Sequence, residues 1–393
     1  SRYPDIPTLL LEVLSHYNLR DMHYGLNPKY QYFIMRSVYK GILRYLHRQE
    51  NSNYTIQPHP VKDMQLTRSG DQLTLTWQPN EDILEPSATP TYYIVYTRCD
   101  NSDWDNGKRI SSTTYTMKPK RGKRYDFRVA AGNDGGRSLF SETLSAYLAP
   151  KEKGCVLIVN GFNRVDGPEW FMDSTFAGIV PDTYTVPYLY SRAYIGNQFE
   201  FDRRKKWKSD DNCGLGMCYR DYQENLFAGN TFDYPVLHGA ILAANDYSYV
   251  STNVTALTTI DPSFSFVDVI LGKEQQPFPQ NLQSALTQYV NNGGRTLISG
   301  AYVGHLSKRA DKLFATNTLR YTTKASRASH SGVVRLWGKR YTLVTTPDAF
   351  MLHTSIPDGI SPTEHSVASA RYEDTRMSAG VSWKNGNART LVF

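Results

Sequence analysis

Arg124-Tyr125-Asp126-Phe127-Arg128-Val129-Ala130-Ala131 followed by Gly132-Asn133-Asp134-Gly135-Gly136 decides the fold of the middle of this chain. The first eight residues read as a β-strand, and the Gly, Asn and Asp that follow supply the backbone freedom of a turn. Upstream, Leu73, Leu75 and Trp77 alternate with Thr74 and Thr76, the period-2 pattern of a strand with one face buried. Tyr92-Tyr93-Ile94-Val95-Tyr96 reads as another strand. Short strands separated by turn signals across residues 57–149 predict a β-sandwich.

Working outward, residues 153–393 change pattern. Cys155-Val156-Leu157-Ile158-Val159 is wholly apolar, as is a strand buried on both faces, and it runs into the turn residues Asn160-Gly161-Phe162. Tyr247–Val250 and Phe266–Leu271 read as further strands. A helix is predicted from Gln280 to Val290, stopped by Asn291-Asn292-Gly293-Gly294, with a strand at Arg295–Ser299. Strand, helix, Gly-Gly and strand make a right-handed crossover in a parallel sheet. Hairpins are predicted around Gly338-Lys339 and Asn385-Gly386, the last strand running to Phe393 and expected to continue beyond it.

Residues 1–52 predict one strand, a polar turn at Asn18–Gly25 and a helix starting at Asn27-Pro28. The helix shows an apolar face of Ile34, Val38, Ile42, Tyr45 and Leu46. The strand, Pro7-Thr8-Leu9-Leu10-Leu11-Glu12-Val13-Leu14, reads as buried, and a carboxylate in it is costly unless paired, metal-linked or functional.

A chain of 393 residues with 40% hydrophobic and 21% charged residues is globular, with two or three domains. The net charge of +7 allows an anionic partner such as a cell-wall polymer. No Lys/Arg stripe with interleaved aromatics suggests nucleic acid, because Arg203–Lys208 is followed at once by Asp210-Asp211. No apolar run approaches the roughly 20 residues of a membrane span. Of the four cysteines, Cys213 and Cys218 could close a small disulfide loop in an oxidising compartment, and Cys155 reads as a buried thiol. The Cys213–Cys218 loop is a poor zinc site, because no second pair of Cys or His lies at ligand spacing.

Trp77, Tyr96 and the stretch Tyr125–Glu142 resemble a fibronectin type III domain. That resemblance implies Trp77 in the core and a Tyr125 hydroxyl tied back to the backbone, in a domain that is a spacer or a binding module. The 153–393 region resembles flavodoxin-like and glutamine-amidotransferase-like α/β folds. It has no Gly-x-Cys-x-Gly or Gly-x-Ser-x-Gly nucleophile elbow, and no nucleotide-binding glycine motif.

The run from Thr8 to Val13 resembles the late strand of zinc-dependent N-acetylmuramoyl-L-alanine amidases, which ends in a catalytic glutamate. The resemblance puts Glu12 on that position, where a carboxylate beside a zinc-bound water takes its proton. Zinc is thereby implied for an intact amidase-like domain. The family's two histidine ligands and glutamate ligand precede this strand, and no residue here stands for them. A strand-end carboxylate that salt-bridges locally is the other reading.

The order of parts, with Tyr39–Ile42, Ile56–Val61 and Ala228–Pro235 with His238-Gly239, resembles multidomain Bacteroidetes envelope proteins labelled xanthan lyase. It implies a periplasmic, cell-surface or secreted protein with a cell-wall glycan or glycopeptide partner. Three functions stand: the C-terminal part of an amidase-like hydrolase; a non-catalytic glycan- or peptide-binding envelope protein; and, by label, a polysaccharide lyase.

Strand ends of a parallel sheet are where ligands bind. They nominate Asn160, Phe162, Glu274, Ser299 and Tyr302, joined by Asp233 and His238 from the preceding loop, with Glu274 and His238 as an acid/base pair. Pro187–Tyr194 could be an aromatic glycan platform, or core packing.

Overall fold

The computed structural model describes residues 8–161, 170–172, 174–179, 234–272, 274–343 and 357–393. The N-terminal part is helical. Helix α1 is Leu19–Gly25, capped by Asn18, whose side chain accepts from the Arg20 N–H at 3.0 Å. Helix α2, Pro28–Glu50, starts where the sequence predicts: Asn27 accepts from the Lys29 N–H at 2.9 Å, and Pro28 takes the first turn.

Which face of α2 is buried differs from expectation. Ile42, Tyr45 and Leu46 are exposed, and Arg36 is the buried residue. Arg36 Nε donates to Asp82 at 3.0 Å and its Nη2 to the Gln57 carbonyl at 2.9 Å. Lys40 reaches the same Asp82 oxygen at 2.5 Å, and Arg44 pairs with Glu85 at 3.1 Å. A row of cations at helical spacing thus finds two carboxylates on the neighbouring sandwich. Charge complementarity sets the docking; Ile34 and Val38 of the apolar stripe are half-buried, and from Ile42 on the stripe turns outward.

The predicted strand at the start of the chain is a second correction. Thr8 to Leu14 has no strand assignment and is exposed throughout, Leu9 by 85%. A strand exists only where a neighbour completes its backbone hydrogen bonds, and no described strand pairs with this run.

The sandwich follows the sequence closely. Its strands are β1 (Lys62–Ser69), β2 (Gln72–Gln78), β3 (Tyr92–Cys99), β4 (Lys108–Ile110), β5 (Thr114–Met117), β6 (Arg124–Asn133), β7 (Gly136–Arg137) and β8 (Leu144–Tyr147). One layer pairs β1-β2-β5; the other pairs β4-β3-β6-β8, with β7 folded back on β6. Leu66, Leu73, Leu75, Trp77, Val95, Phe127 and Val129 fill the space between. The Trp77 ring meets Tyr93 edge-on at 5.4 Å. The Tyr125 hydroxyl accepts from the Lys120 N–H at 3.3 Å, the corner tie that the resemblance implied.

The last part contains β9 (Gly154–Asn160), the hairpin β10 (Trp170–Met172) and β11 (Ala177–Ile179), α3 (Tyr234–Ala244), β12 (Tyr247–Asn253) and β13 (Phe266–Gly272). Then come α4 (Gln280–Asn291), β14 (Arg295–Gly300), α5 (Arg309–Phe314), β15 (Tyr321–Ala325), β16 (Val333–Leu336) and β17 (Lys339–Thr342). The chain closes with β18 (Gly359–Pro362), β19 (Ser366–Tyr372), β20 (Ser378–Asn385) and β21 (Ala388–Val392). Neighbouring parallel strands run β12-β9-β13-β14-β21, extended antiparallel by β20-β19-β16-β17. The expected crossover between β13 and β14 is present, and the turn that follows α4 passes through Gly293 with φ 88°, a conformation only glycine adopts freely.

The two β units are fused. Strand β12 is parallel to β9 on one side and meets β8 antiparallel on the other, Tyr249 opposite Tyr147. Its hydroxyls stand in for missing ladder bonds. Ser251 Oγ accepts from the Ser145 N–H at 2.7 Å and donates to the Ser145 carbonyl at 2.8 Å, and Ser248 Oγ accepts from the Ala149 N–H at 2.9 Å. Ser145 Oγ also donates to the buried Asp126 at 2.7 Å and lies 2.9 Å from the Tyr249 hydroxyl. Burial pushes the Asp126 carboxyl up, against the pull of Arg124 and Arg98.

The α2 joint holds a titratable histidine. His59 is buried beside Tyr32, 3.3 Å from its hydroxyl, and 3.4 Å from Asp82. Burial, and then the Arg36 and Lys40 charges, lower its pKa against the opposing pull of Asp82. A histidine depressed in the docked state favours docking when neutral. Its contribution is complete above the ordinary value of about 6.5 and is lost as pH falls through the lowered one. Burial acts to raise Asp82, but the Lys40 and Arg36 hydrogen bonds outweigh it and its pKa is lowered, so that contribution persists to more acid pH. We expect amide exchange in α2, corrected for intrinsic rates, to accelerate as pH falls below about 6.5, and His59→Gln to flatten that dependence. An unchanged profile in the variant would assign the effect elsewhere.

Candidate functional site

The carboxyl end of β9 is occupied from within the chain. Asn160 is 2% exposed, and its Nδ2 donates to one oxygen of Glu142, while Asn253 at the end of β12 donates to the other. Asn253 Oδ1 meanwhile caps the following turn, accepting from the Thr255 N–H at 2.7 Å. Asn160 is therefore a clamp on the sandwich rather than an open ligand contact. Glu274 closes a turn after β13, where its N–H donates to the Leu271 carbonyl at 2.9 Å and its Oε1 accepts from the Gln276 N–H at 3.1 Å. Tyr302 is 5% exposed, its ring 6.2 Å from His305, in packing and not on a platform. Phe162, Asp233, Cys213, Cys218 and Pro187–Tyr194 lie outside the described residues.

His238 meets a different carboxylate from the one expected. Its Nδ1 lies 2.7 Å from Asp268 Oδ2, with the imidazole 28% exposed and the carboxylate 4%. The Glu274–His238 pairing thus gives way to a pairing across the sheet. Asp268 sits in the apolar strand β13 between Val267 and Val269, both fully buried, so its side chain stands on the opposite face with Phe266 and Ile270. That face is covered by α3, which packs on Val156, Ile158, Tyr249 and Ile270. The helix rides close because residue 239 is glycine: a Cβ there would lie 2.2 Å from the Tyr249 ring. Asp268 was missed because its strand reads as uniformly apolar; the lone acid in Phe266–Leu271 is the same signal that drew notice to Glu12.

Register maps the surroundings. Ile158, Asp268, Leu297 and Leu391 form one row across β9, β13, β14 and β21, and Asn160, Ile270 and Ser299 form the next. On the opposite face Thr296, Ile298 and Val392 are buried, whereas Leu297, Ser299 and Leu391 are only partly covered. The structure thus brings His238, Asp268 and Ser299 to one face. An acceptor carboxylate at Nδ1 places a ring proton there, and in the neutral imidazole Nε2 is then the acceptor. The second carboxylate oxygen, Oδ1, is buried without a hydrogen bond.

Glu12 is exposed in the extended N-terminal run. Among the described residues, no group of three His, Cys, Asp or Glu could hold a metal ion. Cys99 and Cys155 are free thiols, and burial pushes Cys155 up. No described helix is long and apolar enough to cross a membrane.

No family model and no curated protein matches the chain. Among solved structures it is similar to the twitchin kinase region from C. elegans, at 23% identity over 24% of this chain and 17% of that one, TM-score 0.21. It is similar to titin kinase with its flanking domains, at 27% identity over 23% of this chain and 16% of that one, TM-score 0.21. A third is the fibronectin type III domain of human fibronectin type III domain containing protein 3, at 26% identity over 25% of this chain and 93% of that one, TM-score 0.21. The chain spans only a small part of the first two.

Replacing Glu142 tests the clamp. Glu142→Ala leaves two amides without their acceptor and should cost about 1–3 kcal/mol in urea unfolding. Glu142→Gln, which keeps one acceptor oxygen, should fall between.

Proposed function

We propose that this chain is the C-terminal part of a cell-envelope hydrolase related to zinc-dependent N-acetylmuramoyl-L-alanine amidases, acting on peptidoglycan or related material outside the cytoplasm. One observation carries the reading. Leu9, Leu10, Leu11, Val13 and Leu14 surround Glu12 and are all exposed, while the run is apolar at consecutive positions. Consecutive apolar residues suit an interior strand of a parallel sheet, covered on both faces. The outward stripe of α2, with Ile42, Tyr45 and Leu46 exposed, suits the same packing. Residues 8–50 are thus read as belonging to an α/β layer that the rest of the described chain does not supply. Glu12 lies on the glutamate position of the resembling motif. No step through zinc follows from the donors present.

A second reading, a non-catalytic envelope protein binding glycan or peptide, is favoured by the fused joint at β8 and β12. Such a joint suits a rigid arm that presents a binding face.

Muropeptide turnover by the native protein carrying this chain, compared with Glu12→Gln, tests the first reading. Turnover should fall by about 10²-fold or more, the scale on which a general base contributes. Equal turnover would remove Glu12 from the chemistry and leave the second reading.

A further inference from the structure

We propose that the His238–Asp268 pair is the polar anchor of a carbohydrate-binding site on the α3 side of the parallel sheet, with Ser299, Leu297 and Leu391 as its floor. This gives the ligand class of the second reading and is independent of Glu12.

The first observation is the cost of Asp268. A carboxylate 3% exposed in an apolar strand, with one oxygen buried and unbonded, is an unfavourable way to fasten a helix. The apolar contacts of Val156, Ile158, Tyr249 and Ile270 already hold α3 in place. An aliphatic residue at position 268 would continue that packing. What the carboxylate adds is orientation of the imidazole, whose Nδ1 it holds at 2.7 Å.

The second observation is what lies beside the ring. Helix α3 packs mainly over β12, β8 and β9. Beyond His238 the same face continues over β14 and β21 as Leu297, Ser299 and Leu391, which are half-buried rather than sealed. On the other face Ile298 and Val392 lie in the main core, where α4 packs on β14 and β21. Among the described residues, one face of these strands is therefore closed and the other only half-covered, on the side that carries the imidazole.

The chemistry selects the ligand. With the Nδ1 proton on Asp268 and the ring neutral, Nε2 accepts a hydrogen bond. The Ser299 hydroxyl both donates and accepts. Two leucine side chains give a flat apolar strip. A ligand that suits all three offers hydroxyl donors along its edge and an apolar C–H face, which describes a pyranose ring. A carboxylate or phosphate gains nothing from the leucines.

Titration of the native chain with cellotetraose and chitotetraose, followed through the imidazole ¹⁵N resonances of His238, tests the site. Nε2 should shift with saturation by at least one oligosaccharide, and Nδ1 should move much less. His238→Phe should weaken binding by 10-fold or more. Ser299→Phe, which covers the floor without touching the pair, should do the same while leaving the His238 tautomer unchanged. Amide exchange of α3 in both variants separates loss of the site from loss of the helix. An unmoved Nε2 resonance at millimolar oligosaccharide, or variants that bind within twofold of the native chain, would make the pair a structural clamp. Loss of oligosaccharide binding in His238→Phe and loss of turnover in Glu12→Gln are separate results, so either proposal can fail alone.

Discussion

Ser145 is the contact on which the arrangement of the chain depends. Its backbone exchanges hydrogen bonds with the Ser251 hydroxyl, and its own hydroxyl bridges Asp126 and Tyr249. A sandwich strand and a parallel-sheet strand meet there without a regular ladder between them. Serine makes this possible because a hydroxyl can donate and accept at once, and so satisfies backbone groups that a ladder would otherwise pair. The fused sheet keeps its polar atoms bonded at a place where two separately folded units would leave edges exposed. Glu142 adds a second tie, reaching from the sandwich to the asparagines that end β9 and β12.

The N-terminal helix is attached by a different principle. Arg36, Lys40 and Arg44 lie along one side of α2 and meet Asp82 and Glu85. A buried cation costs desolvation, and it is tolerated here because Asp82 and the Gln57 carbonyl both accept from Arg36. Hydrophobic periodicity correctly located the helix and its start but assigned the wrong face. The periodicity records which residues are apolar; which side is covered depends on the neighbour.

Much of the fold was legible because its signals are local. Thr-Leu alternation before Trp77, the Gly-Gly stop after α4 and the apolar runs at 155–159 and 266–271 each specify an element within a few residues. The Tyr125 corner was legible through resemblance, since residue types at fixed spacing carry it. Pairings between distant elements were not. Nothing local says that β12 lies against β8, or that Glu142 reaches Asn160. The candidate site shows the same divide. His238 was singled out, but its partner is fixed by a crossover that places α3 above β13. The buried strand acid turned out to be Asp268, whereas Glu12, which prompted that reasoning, is exposed.

Gly239 ties these parts together. The absent side chain lets α3 rest on the Tyr249 ring, and Tyr249 is held by Ser145, which is held by Asp126 between Arg98 and Arg124. His238 is the next residue along the helix from Gly239. The reach of its imidazole to Asp268 is thus referenced, through one tyrosine, to ion pairs inside the sandwich. The domain that looks like a spacer is then part of the gauge that sets the spacing of a site in its neighbour. A change at Asp126 would be felt, through these contacts, at an imidazole on the far side of the joint.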